Sequence, residues 1–446
     1  MPDHTVQPPG QGPGPRRPAA VRGRLLAGLA LALTLAFTPG LPAQAQAHGH
    51  SGPHSREAAP ASPNATASPT RPARRRPPPL AVGGAIAPDG SVWVVGLDAA
   101  QRLTVQAFTD TGQALDTPRP LDTGSDKIAA DGENRPKIAF GPQGWVVITY
   151  TEPLAKPFTG QIRMLRSEDG GRSFSAPFTV HADRQEITHR FESVAFDARG
   201  TLHTLWIDKR DLEAGRQLRP PKPYRGAADH RNESTDGCRS FGPDIKLADH
   251  SCECCRIALA PSPDGSLVAM WRHVFAPNER DHAFAPVRPV TAAEATSAAA
   301  NPARATQDRW AIDACPHHGP GLAPAASGGY HAVWFGEKAG QAAVRYGRLN
   351  ADGQPVGAVR ALPDAAAEHA AVASAGRTVA ITWRAFDGKA MRWRAWLSTD
   401  DGASFTPREL GHSSTDTDHP LLLQRGERIV ALWRTTEGVR LERLAP

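Results

Sequence analysis

Seven times along the 446-residue chain, a glycine turn leads into a short run of β-branched, aliphatic and aromatic residues that carries or ends in an aromatic side chain. The runs are SVWVVGL after Gly90, WVVITY after Gly144, TLHTLW after Gly200, SLVAMW after Gly265, YHAVW after Gly329, RTVAITW after Gly376 and ERIVALW after Gly426. Alternation of this kind behind a turn is a strand signal, because successive side chains of a strand point to opposite faces. The copies recur every 47 to 65 residues or so, which makes this a repeat architecture. A second short apolar run precedes each copy, as at Ile138 and Ile257, so each repeat holds a hairpin with room for two more strands. Four-stranded antiparallel units repeated radially form a β-propeller. The expected fold is therefore all-β, a propeller of seven blades, or of six if the first or last copy is a closing strand. No segment of helical period and useful length interrupts it.

The N-terminal part follows other rules. Arg16, Arg17, Arg22 and Arg24 precede an apolar run from Leu25 to Phe37, which Pro39 and Gly40 break before Ala45-Gln46-Ala47. That order reads as a secretory signal peptide over residues 1–47, and the run is too short for a good membrane span. Residues 48–79 are rich in Pro, Ser, Ala, His and Arg and lack large apolar side chains, so they read as a disordered tether. The propeller is expected over 80–446. Export makes the protein periplasmic or secreted. The net charge of +6 sits partly in leader and tether, and no nucleic-acid motif accompanies it. A monomer without a nucleic-acid partner or membrane span is expected.

A second signature lies between the hairpins. Residues Ser167–Phe174 and Ser398–Phe405 both match S-x-D-x-G-x-x-F, and Ser234–Phe241 matches it with Cys238 in place of a glycine. The physics is that of a tight turn: the carboxylate accepts backbone N–H groups, glycine supplies a positive φ, and the aromatic ring plugs the blade. In these segments the chain resembles the bacterial sialidase superfamily of Asp-box (BNR-repeat) propellers. The resemblance implies the same propeller fold across the folded part. It also implies, for an active member, an arginine triad, a tyrosine nucleophile helped by a glutamate, and an aspartate acid/base.

Antiparallel blades place the start of strand one and the end of strand two on one rim. Before or at strand one stand Arg135, Arg190, Cys255-Arg256, His317-His318, His369 and His419. After strand two stand Glu152, Asp208-Lys209-Arg210, Arg272-His273, Arg384 and Arg434. Arg or His thus recurs at equivalent places near the axis, which points to a ligand site. The long excursions 211–240 and 276–310 are expected to overhang it as loops, with Arg280-Asp281-His282 in the second.

Two chemistries fit such a rim. In the first, Arg135, Arg190, Arg256, Arg272, Arg384 and Arg434 offer guanidinium groups for an anionic small molecule or the carboxylate of a sialylated glycan. On the resemblance, Arg135, Arg190 and Arg384 would then clamp the carboxylate of an exo-α-sialidase substrate, with Asp208 or Glu152 as acid and Tyr346 as the most defensible of the four tyrosines for the nucleophile. In the second, Cys252, Cys254 and Cys255 precede one inner strand, and Cys315, His317 and His318 precede the next. His369 and His419 fall on the same face. Thiolate and imidazole together suit copper or zinc. Cleavage after Ala47 would also expose His48-Gly49-His50, a second metal candidate through His48 and His50. Disulfides are the structural alternative for an exported chain, giving a stapled interaction scaffold; five cysteines cannot all pair within one chain.

Overall fold

The structure is a computed structural model and describes residues 79–289 and 301–445. The expected signal peptide, all but the last residue of the tether, and His48 and His50 lie outside the described residues. Seven sheets follow one another along the chain. Blade 1 comprises Gly83–Ile86, Val92–Leu97, Leu103–Phe108 and Arg119–Pro120. Blade 2 comprises Lys137–Phe140, Val146–Pro153, Gly160–Ser167 and Phe178–Thr179. Blade 3 comprises His189–Phe196, Leu202–Asp208, Ala227–Ser234 and Ile245–Ser251. Blade 4 comprises Ala258–Pro261, Leu267–Arg272, His282–Val287 and Ala303–Arg304. Blade 5 comprises Gly321–Pro324, Tyr330–Lys338, Gln341–Leu349 and Pro355–Ala361. Blade 6 comprises Ala367–Ala375, Thr378–Phe386, Met391–Ser398 and Thr406–Ser413. Blade 7 has three strands among the described residues, Leu421–Arg425, Arg428–Thr435 and Gly438–Ala445. All pairings are antiparallel between consecutive strands, and the first strands pack side by side around the ring. The structure is thus the seven-bladed propeller that the repeat predicts.

The core lies between blades rather than within them. Val268, Met270 and Phe284 of blade 4 pack on Tyr330, Ala332 and Trp334 of blade 5, and Val92 and Val94 of blade 1 pack on Val430 and Leu432 of blade 7. The repeated tryptophan at the end of strand two explains itself here. Trp206, Trp271, Trp383 and Trp433 are fully buried, and the polar edge of a buried indole needs an acceptor. Trp206 Nε1 donates to Asp208 (2.8 Å), Trp383 to Asp364 (2.7 Å) and Trp433 to the carbonyl of Asp418 (2.9 Å). Trp271 is the exception: its Nε1–H has no acceptor among the described residues.

The three Asp-box segments form the turns expected of them. Asp169 accepts from the backbone N–H and hydroxyl of Ser173, and Asp400 does the same with Ser404. Asp236 repeats the pattern with Ser240, and Cys238 takes a φ of +66° where the other boxes have Gly171 and Gly402 at +85° and +79°.

The two long excursions differ from expectation. Residues 211–240 hold most of a short helix, Arg210–Gln217, and strand three of blade 3, Ala227–Ser234. Residues 276–310 hold strands three and four of blade 4. Both outer segments are rich in charged and small residues, so the apolar alternation that marks the inner strands is missing from them.

Candidate functional site

The arginines of the rim are spent on the protein itself. Arg272, 1% exposed, donates to the carbonyls of Arg280 (3.0 Å), His318 (3.0 Å) and Phe335 (2.6 Å), and so ties blade 4 to blade 5. Arg384 reaches the carbonyls of Thr417 (2.7 Å) and Asp418 (3.2 Å) before blade 7 and pairs with Glu368 at 2.9 Å. Arg434 closes on Leu97 O of blade 1 at 3.2 Å. Arg135 grips both oxygens of buried Asp418 (2.8 and 3.0 Å) and the carbonyl of Val82 (2.9 Å), which staples the first blade to the last. Arg256 lies on Glu133 at 2.7 and 2.9 Å. Arg190 has the loosest partner, Asp131 at 3.9 Å, and covers the ring of Phe191.

The carboxylates and the tyrosine are also placed. Glu152 accepts from Gln161 at 2.7 Å and faces Arg163 at 3.5 Å. Tyr346 is buried in strand three of blade 5, its hydroxyl 2.8 Å from His331 Nδ1 and its ring edge-on to Phe405 of the third Asp box. It is therefore on the Asp-box side of its blade, apart from Asp208 and Glu152. Asp208 is fully buried and accepts from Trp206 Nε1 (2.8 Å), the backbone N–H of Arg210 (2.8 Å) and its guanidinium (2.7 and 3.0 Å). Burial opposes its charge, but Arg210 and the neighbouring His230 and His189 outweigh that and hold the carboxyl at about 2. A group with this pKa stays ionised and has no proton to give near neutrality. Its folded pKa lies below the unfolded one, so it contributes stability above pH 4, and the contribution is lost as pH falls through about 2. Asp208→Asn should accordingly cost roughly 2 kcal/mol at pH 7. In denaturant melts taken across pH, the gap between variant and parent should close only below pH 4.

Two groups of metal-competent side chains remain, and they come from one stretch of the rim. The first is axial. The turn Asp131–Asn134, closed by paired backbone bonds, projects Glu133 across the ring to Arg256 before blade 4, to His369 in the first strand of blade 6 and to His419 before blade 7. Glu133 is almost fully buried, and although burial opposes its charge, Arg256, His369 and His419 hold its carboxyl well below the usual range. His369 has a φ of +51° at a bulge in its strand, and such a conformation in a non-glycine residue is held by its surroundings. The bulge turns its ring to the axis, stacked between His419 (3.3 Å between centroids) and His318 (4.1 Å). Burial lowers the pKa of all three imidazoles, that of His419 to about 3, so they are neutral at physiological pH. His317 is exposed at the rim.

The second group is the thiols. Cys252 Sγ lies 3.9 Å from Cys254 Sγ, which lies 3.8 Å from Cys255 Sγ, and all three are buried within 4.8 Å of one another. Cys315, from the loop before blade 5, is exposed and interacts with Cys252 and Cys254, but its sulfur lies outside the group whose atoms are all within 4.8 Å of one another. The spacings are not disulfides, which need about 2.05 Å. All five cysteines are free, including Cys238, which packs with Val147, Ile162 and Trp206 instead of pairing with another thiol. Hydrogen bonds from Cys254, Cys255 and Cys315, with Arg272 nearby, push the Cys252 thiol well below its usual pKa. The same thiolate pushes Cys254, Cys255 and Cys315 up. Arg280 adds a guanidinium 3.5 Å from Cys252 Sγ, and the backbone N–H of Cys252 is fixed by the carbonyl of Arg272 at 2.9 Å.

Blade 4 departs from its neighbours at this point. Cys255 stands three residues before the partner of Met270, and Asp418 stands three before the partner of Leu432, so the two are equivalent by register. In blade 7 the carbonyl of Asp418 receives Trp433, whereas Trp271 beside the thiols has no acceptor among the described residues. The cysteine segment thus breaks the repeat's own satisfaction of its tryptophan. Sequence reading missed Glu133, whose signal was a carboxylate in the turn Asp131-Gly132-Glu133-Asn134 just before an inner strand.

Neither a family model nor a curated relative matches the chain. Solved structures do. A polysaccharide lyase of family PL25, an ulvan lyase, superposes with a TM-score of 0.52 at 12% identity, over 82% of this chain and 93% of that one. A Hadza microbial sialidase gives a TM-score of 0.44 at 13% identity, over 76% and 73%. The leech intramolecular trans-sialidase gives 0.45 at 8%, over 79% and 82%. At 12% identity the likeness to the lyase extends to the fold alone.

Proposed function

We propose that the chain is an exported β-propeller that holds one soft metal ion, copper(I) or zinc, in the thiols of Cys252, Cys254, Cys255 and Cys315. The observation that carries this reading is the S···S spacing of 3.8 and 3.9 Å. Four sulfurs at about 2.3 Å from a central ion form a tetrahedron with edges of roughly 3.8 Å. Two of those edges are present, and the three buried sulfurs all lie within 4.8 Å of one another, so one ion can be shared among them. The charges also match. Four thiolates on zinc, or three on copper(I), leave two negative charges in excess, and Arg272 and Arg280 are the two guanidinium groups beside them. The buried Trp271 N–H is a further donor next to a cluster that gains negative charge. Residues that neutralise and orient a ligand shell commonly change metal affinity when removed.

Hydrolysis of sialosides, and capture of an anionic ligand by the rim arginines, are less well supported. Both need guanidinium groups that face solvent without a protein partner, and five of the six are bound to carbonyls or carboxylates within hydrogen-bonding distance.

The test is a competition titration of the reduced mature protein against chromophoric copper(I) and zinc chelators, with a fluorogenic sialoside assay in parallel. One equivalent of copper(I) should bind, Cys254→Ser should weaken its binding at least 100-fold, and no sialoside should be cleaved. Equal affinity in parent and Cys254→Ser, or turnover that Arg190→Ala abolishes, would sink the reading.

A further inference from the structure

The imidazoles and the thiols are two separate groups. The thiols come from the segments before blades 4 and 5, whereas the imidazoles nearest Glu133 come from the first strand of blade 6 and the segment before blade 7. Arg256, next to Cys255 in the chain and bound to Glu133, stands between them. The axial group has its own ligand geometry. Nδ1 of His369 lies 3.2 Å and Nδ1 of His419 lies 3.6 Å from the same oxygen, Oε1 of Glu133. Three donor atoms, one from each residue, all lie within 4.8 Å of one another. The His419 distance is too long for a hydrogen bond, and its buried Nδ1 has no partner among the described residues. An imidazole nitrogen buried without a partner and turned to a carboxylate is what a bound cation would satisfy.

The surroundings fix these donors from behind. Arg256 holds both oxygens of Glu133 by hydrogen bonds of 2.7 and 2.9 Å. His318 stacks on the far face of His369 at 4.1 Å with an interplanar angle of 3°. Gly319 lets the two strands' approaches close on the carboxylate, because a β-carbon there would sit 2.8 Å from Glu133 Oε2. The donor set has two nitrogens and one oxygen and no sulfur, so it suits a borderline divalent ion rather than a soft one.

We propose that Glu133, His369 and His419 form a second cation site on the propeller axis, which takes a divalent ion of the zinc or cobalt(II) type independently of the thiols. Two imidazoles and one carboxylate leave a fourth position open, as in sites that keep an exchangeable ligand. The site does not depend on occupancy of the thiol cluster.

Cobalt(II) is the probe, titrated anaerobically into the full mature chain and followed by absorption. Cobalt held by thiolates shows intense sulfur-to-metal charge transfer in the near ultraviolet. Cobalt held by nitrogen and oxygen shows only weak visible bands. The parent protein should show a population with weak bands alone, whether or not a charge-transfer population accompanies it. His419→Gln and, separately, Glu133→Gln should each remove about one equivalent of that population and leave any charge-transfer band unchanged. A charge-transfer band alone in the parent overturns the axial site and leaves the thiol reading standing. Weak-band cobalt that persists undiminished in both variants also overturns it, since that metal then sits elsewhere, such as on His48 and His50. The parent spectrum decides even if a variant fails to fold.

Discussion

Arg272→Met should be among the most damaging single substitutions in this protein. Methionine matches much of the arginine's length and fills the space, but it offers no donors. The carbonyls of Arg280, His318 and Phe335 would each lose a hydrogen bond, the last two of them between blades 4 and 5. A partly buried acceptor left unmet costs about 1–3 kcal/mol, and loss of a buried guanidinium returns some of that, so we expect a net loss of about 3 kcal/mol. In thermal melts this corresponds to a fall of roughly 5 °C. Metal affinity should fall with it, by about tenfold or more, because a positive charge leaves the side of Cys252. The exposed Arg199→Met is the control and should stay within about 0.5 kcal/mol of the parent. An Arg272→Met protein that melts with the parent would show that the arginines of the rim are not clamps between blades.

The second large effect concerns closure of the ring. Among the described residues, blade 7 has no fourth strand contributed from the other end of the chain, so the seam between blades 1 and 7 depends on packing, on bonds from Arg434 to Leu97 O and from Arg428 to Gly90 O, and on a buried polar knot. In that knot Asp418 accepts from the backbone N–H of Val82 (3.0 Å) and from both terminal nitrogens of Arg135, all of them buried. Removing one partner leaves a buried charge uncompensated, which costs about 3–5 kcal/mol. Arg135→Met should therefore destabilise by that much. Arg135→Met/Asp418→Asn should recover part of the loss, because the orphaned charge is gone. A double-mutant cycle with a coupling near zero would refute the knot.

The blades were legible because a propeller writes its inner strands in apolar alternation and ends strand two on a buried tryptophan. The positions of Arg135, Arg256, Arg272, Arg384, Arg434, His369 and His419 on one rim were legible too, since register carries from repeat to repeat. What those arginines hold was not legible. Their acceptors are mostly main-chain carbonyls, as with Arg272 and Phe335 O, and a carbonyl leaves no trace in residue identity. Glu133 escaped notice because it reaches across the ring to residues more than 100 positions away. Strand three of blade 3 and strands three and four of blade 4 passed for loops because they are built of polar and small residues, although strand three of each blade is largely buried. The separation of thiols from imidazoles depends on which way the segments before blades 4 to 7 turn, and the bulge at His369 has no signature in the sequence.

The most direct test of the thiol centre is elemental analysis of the protein purified anaerobically, with a thiol count after denaturation and chelation. The account predicts about one copper or zinc per chain held by the thiols, apart from any divalent ion on Glu133, His369 and His419, and all five cysteines reactive once the metal is removed. It also predicts that Cys252→Ser/Cys254→Ser loses the thiol-bound equivalent, whatever divalent ion Glu133, His369 and His419 retain. Metal-free protein with a single reactive thiol would mean that the four clustered cysteines are oxidised in pairs, and would contradict the metal centre.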